Sequence, residues 1–146
     1  RTASRFPYFL DWLREHRWLP DARYTDGLVA NSGSGAEGWL IPQPWVIDEK
    51  NDTVRLDDVV GGRWTVLYTG SPSDLWGWRS GGVPALRVVP AGTTPAPDSI
   101  VDTDGSLIRW LEKKRAVAVA VRPDGFVYAG ASADQPLPPP PAGFRP

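Results

Sequence analysis

AVAVAVRPDGFVYAGA, residues 116–131, is two apolar runs joined by one turn. Val117, Val119 and Val121 alternate with Ala116, Ala118 and Ala120, the two-residue period of a β-strand. Both faces are apolar, so the strand belongs inside a sheet with helices over it rather than at a solvated surface. The alanine face is small enough to let a helix sit close. Arg122-Pro123-Asp124-Gly125 carries turn chemistry. Pro123 presets φ at the first corner, Asp124 tolerates the second, and Gly125 permits the positive φ that restarts a strand. Phe126-Val127-Tyr128-Ala129 is the return strand, with Phe126 and Tyr128 on one face. Burying each large side chain is worth roughly 1.5–3 kcal/mol, which makes this hairpin the anchor of the core.

Upstream of it, residues 106–113 read as a helix: Leu107, Ile108, Trp110 and Leu111 face the core, while Arg109, Glu112 and Lys113 face water. Asp102-Thr103-Asp104-Gly105 has the start of a calcium loop but lacks the later ligands, which favours a turn that caps this helix. Residues 91–98 form a Pro/Thr loop after a strand at 84–89. Residues 73–79 are a short helix with Ser73 or Ser71 as N-cap. Arg63-Trp64-Thr65-Val66-Leu67-Tyr68 is a strand rich in β-branched and aromatic residues. Leu56-Asp57-Asp58-Val59-Val60-Gly61-Gly62 is one helical turn ended by glycine. Residues 42–47 and 51–56 are short extended segments around a polar turn; Asn51-Asp52-Thr53 fits a glycosylation sequon only formally. The order strand, helix, strand, helix, strand, turn, strand predicts a mixed sheet with helices on its faces, an α/β class and a thioredoxin-like arrangement.

Outside this core lie three further segments. Phe6, Phe9, Leu10 and Leu13 fall at helical spacing, Tyr8 and Trp12 widen the apolar face, and Pro7 and Pro20 bound the helix read over residues 6–16. A Gly/Ser-rich connection follows over residues 26–39. It contains Gly33-Ser34-Gly35-Ala36-Glu37-Gly38, a formal G-x-G-x-x-G. A dinucleotide phosphate loop must open a helix. Pro42 and Pro44 forbid one here, which leaves a linker. At the far end Pro136-Leu137-Pro138-Pro139-Pro140-Pro141 is extended polyproline II; a tail lying on or beside the domain is favoured over a ligand for a proline-recognising partner.

The 146 residues, 41% hydrophobic and 23% charged, suit one domain with a real core. A net charge of −1 gives no reason to expect a nucleic-acid or anionic-membrane partner, and no apolar run approaches the ~20 residues of a membrane span. Cysteine is absent, which excludes disulfides, thiol redox chemistry and thiolate metal sites; with one histidine a zinc site is disfavoured. Methionine is also absent, and a chain opening Arg-Thr-Ala-Ser reads as a fragment of something longer.

Leu56-Asp57-Asp58-Val59-Val60-Gly61, Trp64-Thr65-Val66-Leu67-Tyr68 and Arg122-Pro123-Asp124-Gly125-Phe126-Val127 occur in an order and spacing that resembles the C-terminal thioredoxin-like domain of FAD-dependent aromatic-ring hydroxylases, the phenol and 3-(3-hydroxyphenyl)propionate hydroxylase group. The resemblance covers about residues 38–131, and the Arg-Pro-Asp-Gly-aromatic-Val turn is its most specific part. It implies a parent that binds FAD, is reduced by NADPH or NADH, and adds one oxygen atom to a phenolic or polyketide-like ring. Those steps belong to preceding flavin- and substrate-binding domains, whose motifs are not in this chain. The resemblance therefore assigns no catalytic, cofactor-binding or metal-ligating residue here and implies no cofactor bound by this chain alone. It divides the chain into a connector helix and linker (1–37), a thioredoxin-like domain (38–131) and a Pro-rich tail (132–146). A redox thioredoxin places Cys-x-x-Cys where this chain has Gly70-Ser71-Pro72-Ser73, and a hydroxyl cannot perform disulfide exchange. The proline that usually precedes the hairpin strand is replaced by Lys114-Arg115.

The expected function is a non-catalytic C-terminal domain of a cytoplasmic flavin monooxygenase, serving stability and homodimer contacts, with the aromatic residues of 6–18 as the candidate subunit surface. The alternative is a stand-alone, redox-inactive thioredoxin-like module that holds a protein partner through Trp76, Trp78 and the proline tail. Independent catalysis has little to stand on. Asp57-Asp58 is the one adjacent carboxylate pair worth weighing, and neighbouring side chains diverge; His16 reads as a surface residue at a helix C-terminus.

Overall fold

The structure, a computed structural model, describes residues 34–70, 75–141 and 144, with the side chain of Trp76 excepted. The expected helix at 6–16, Gly33, and the two serines offered as N-cap lie outside the described residues. Strands β1 (Trp45–Ile47) and β2 (Thr53–Arg55) form a short hairpin. Helix α1 (Leu56–Val60) follows directly and is closed by Gly61 at φ 63°, the left-handed cap that the glycine pair announces. Then come β3 (Thr65–Tyr68), α2 (Trp76–Ser80), β4 (Ala85–Pro90), β5 (Ser99–Asp102), α3 (Ser106–Lys113), β6 (Ala118–Val121) and β7 (Val127–Ala131).

The strands make one sheet in the order β2-β1-β5-β4-β3-β6-β7. Strands β3, β4 and β5 run parallel, β6 is antiparallel to β3, and β7 is antiparallel to β6. The block β4-β3-β6-β7, with α2 crossing from β3 to β4 and α3 leading into β6, is the thioredoxin-like arrangement. Strand β5 was not expected. Ser99-Ile100-Val101-Asp102 is a four-residue run squeezed between a Pro/Thr loop and a capping turn, too short to show a period, yet all four residues are buried.

The sheet separates two apolar layers. Val119 and Val121 of β6 join Leu67, Val88 and Ile100 under Leu56 and Val60 of α1 and Leu107 and Leu111 of α3. Ala118 and Ala120 face the other way, into a layer with Val66, Tyr68, Trp78, Tyr128 and Leu137. The alanine face does admit a close neighbour, as expected. That neighbour is the fully buried indole of Trp78 on α2, and the proline-rich segment lies over it: Trp78 Nε1 donates to the Pro138 carbonyl at 2.8 Å, and Leu137 is buried. Trp64, Tyr128 and Phe144 surround Trp78 at centroid separations of 5.6–5.9 Å, a tilted and edge-on cluster that suits the ring quadrupoles.

The organising turn forms as its residues demand. Gly125 sits at φ 88° and donates to the Arg122 carbonyl, while Asp124 Oδ1 accepts from the Phe126 amide and Oδ2 pairs with Arg122 at 2.6 Å. The outer edge of β7 is covered by the stretch that carries the glycine motif. Gly38 donates to Val127, Val127 donates to Trp39, and Ile41 donates to Gly125, all at 2.8–2.9 Å. Ser34 docks against Gly130, where a methyl group would collide with Ser34 Oγ and come within 3.0 Å of its Cβ. No helix follows this stretch, so its amides serve the sheet edge rather than a phosphate. No helix among the described residues is long and apolar enough to cross a membrane.

Candidate functional site

The loop after β3 is where a thioredoxin carries its thiols. Here β3 ends in Tyr68, nearly buried, and the chain turns at Gly70 with φ 64°. Tyr68 and Arg87 are register partners in the parallel β3–β4 pair, so their side chains leave the same face. The Arg87 guanidinium lies 4.9 Å from the Tyr68 ring centroid and donates to the Gly70 carbonyl. Arg79, in the last turn of α2, returns to the same ring at 5.7 Å and donates to the Tyr68 hydroxyl at 3.3 Å. Among the described residues the arrangement gathers two cations and their hydrogen-bond donors on one tyrosine.

Beyond the Asp57-Asp58 pair weighed from the sequence, the carboxylates of Asp102, Asp104 and Glu37 each have a structural partner. Asp102 is fully buried at the end of β5, and its Oδ2 accepts from the Ile108 amide at 2.8 Å. Gly105, the residue at the N-cap position, has no side chain to do this, so Asp102 caps α3 from three residues upstream. Burial pushes the Asp102 carboxyl above the ordinary range, and the Ile108 amide opposes that shift. Asp104 accepts from the Ser106 amide and is held below the usual range by the Ser106 hydroxyl and amide. These bonds realise the capping turn favoured over a calcium loop. Glu37 is buried beside β7, where Ser34 Oγ donates to it at 3.1 Å; desolvation raises its carboxyl against those hydrogen bonds. Within the adjacent pair, Asp57 is buried and Asp58 exposed, so the two do not converge on one reacting atom.

The remaining pieces extend this pattern. Trp78 is core, so it is not available as an anchor for a partner. Gln43 is buried with both side-chain polar atoms lacking a partner among the described residues, as is Asp102 Oδ1; no sequence signal marks an orphan of this kind. A cleft of about 300 Å³ opens between the β1–β2 turn, α1 and the starts of β4 and β5, floored by Val54, Val59, Leu86 and Ile100. Its rim mixes Asp48, Asp58 and Asp98 with Lys50 and Arg63. Among the described residues no group of three or more His, Cys, Asp or Glu side chains is placed to hold a metal ion.

The family model described as the HcaD C-terminal domain matches residues 38–139, more than half of the chain. The chain belongs to this family. Similar curated proteins are 3-(3-hydroxyphenyl)propionate/3-hydroxycinnamic acid hydroxylases. The one from Klebsiella pneumoniae is 30% identical over 140 residues, covering 84% of this chain and 24% of that protein. One from Escherichia coli is 32% identical over 142 residues, covering 85% and 25%. The chain thus spans about a quarter of the length of these relatives. Among solved structures, the flavin-dependent monooxygenase PieE, in complex with FAD and substrate, matches with a TM-score of 0.50 at 22% identity, over 73% of this chain and 21% of that one. That likeness shows the HcaD C-terminal fold recurring within a larger polypeptide.

Proposed function

We propose that this HcaD C-terminal domain is a non-catalytic part of an FAD- and NAD(P)H-dependent aromatic-ring monooxygenase, appended to the domains that bind flavin and substrate. The observation that carries the reading is the family match over residues 38–139 together with relatives about four times the length of the aligned region. The described side chains support it. Buried carboxylates cap a helix or anchor the linker, and the sequence at the position of the thioredoxin thiols, Gly70-Ser71-Pro72-Ser73, carries no cysteine. The domain contributes a rigid, two-layered body to the parent, and the aromatic residues within 6–18 are the candidate contact between subunits of a dimer. The parent is a cytoplasmic flavoprotein.

The test is the visible spectrum of the protein purified from the complete reading frame containing this chain. Flavin bands in that protein, beside a colourless 146-residue chain, are the expected result. A colourless full-length protein that also fails to take up added FAD overturns the reading and favours the stand-alone binding module.

A further inference from the structure

We propose that Tyr68, Arg79 and Arg87 form a phosphate-binding site on the α2 face of the sheet. Two guanidinium groups from different elements gather on one tyrosine, Arg87 over the ring at 4.9 Å and Arg79 at its hydroxyl rim, 3.3 Å from the oxygen. Neither has a carboxylate partner among the described residues. Like charges drawn together without a counter-charge repel, and an anion between them turns that repulsion into attraction.

The donor inventory gives the class of ligand. A guanidinium carries five N–H donors in a planar fork. Here Arg79 spends one on the Tyr68 hydroxyl and Arg87 one on the Gly70 carbonyl. Those two bonds, with the ring beneath, orient the forks and leave most donors unspent. A carboxylate satisfies one fork; a phosphate group, with three or more terminal oxygens and close to two charges, satisfies both. Arg79 is exposed, so the site is open to solvent. It is also remote in the fold from the carboxylates of the cleft rim, which lie on the opposite layer with Leu86 and Ile100. This inference is independent of the flavin reading of the parent.

The test is a titration of the 146-residue chain with inorganic phosphate at constant ionic strength, following the arginine Nε–H resonances by NMR. Two arginine signals are expected to shift along one saturable curve. Arg79→Gln, at an exposed position that leaves the core untouched, weakens the apparent affinity by about tenfold, the worth of a charge-assisted bond; Arg79→Lys, which keeps the charge but not the fork, falls between. Glycerol phosphate run in parallel separates sources: equal affinity makes the free ion sufficient, tighter binding points to a phosphate ester, and both uphold the site. Acetate binding as well as phosphate, an unsaturated linear drift, or an unchanged curve in Arg79→Gln would each overturn the proposal.

Discussion

Trp78→Phe isolates what the proline-rich segment contributes to the fold. The substitution keeps an aromatic ring in the alanine layer but removes the indole N–H, so the Pro138 carbonyl loses the donor it meets at 2.8 Å. Pro138 is half-buried, so losing this bond costs about 1 kcal/mol, and the smaller ring leaves a void worth about 1 kcal/mol more. Together these give an expected loss of about 2 kcal/mol, a substantial share of the 5–15 kcal/mol typical of a domain. In a chain ending at Gln135 the carbonyl is gone along with Leu137 and Phe144, so the same substitution should be cheaper by at least about 1 kcal/mol. Urea unfolding followed by far-UV circular dichroism on the four proteins of this cycle measures the coupling. If Trp78→Phe costs the same with and without the tail, the bond does not hold the segment down, and the account of this layer is wrong.

Gly125→Val places a β-branched residue at φ 88° and should lower stability by about 1–3 kcal/mol; an unchanged melting temperature would refute the turn geometry. Gly130→Ala should strain the contact with Ser34, and Ser34→Gly should relieve it, so the double variant is more stable than the two single losses sum to; strict additivity in thermal unfolding would contradict the close approach. Asp102 has a raised carboxyl, so the native state holds its proton more tightly than the unfolded chain and stability falls as pH rises from about 4 through the folded value. Asp102→Asn removes that titration while an amide oxygen still accepts from Ile108. Its stability relative to the unsubstituted chain should therefore be more favourable at pH 7 than at pH 4 in urea midpoints, and the opposite order would mean that the folded state lowers the Asp102 carboxyl instead of raising it.

The parts of this fold that declare themselves in sequence are those where one local rule dominates. Ala118-Val119-Ala120-Val121 alternates on a strict period, Pro123-Asp124-Gly125 fixes a turn, and Leu107 with Leu111 marks one helical face, and these form as read. The alternation stops short of its first two residues, since Val117 precedes the strand and packs on the alanine side while Ala116 packs with the valines. Strand β5 was hidden because its four residues are buried on both faces and therefore carry no alternation. The glycine stretch at 33–38 was legible as a non-phosphate loop from Pro42 and Pro44. Its true office, covering the edge of β7, depends on backbone pairing with Gly125 and Val127, which no nearby residue encodes. The Tyr68–Arg79–Arg87 cluster was illegible for the same kind of reason. Its members come from a strand end, a helix end and a neighbouring strand, and only the parallel register of β3 and β4 joins them.

The pairing of residues 38–41 with the far hairpin also governs how the domain can be made. Trp39 waits for Val127, and Trp78 waits for Pro138, so nearly the whole sequence must be available before either contact closes. Contacts this distant along the chain carry the loop-closure entropy that slows folding. On a ribosome the early segments therefore emerge with an apolar sheet edge and an indole uncovered, and the domain completes itself only as its last strand and tail arrive. Substitutions that weaken the closing contacts should thus be felt in the yield of folded protein at synthesis, not only in its equilibrium stability.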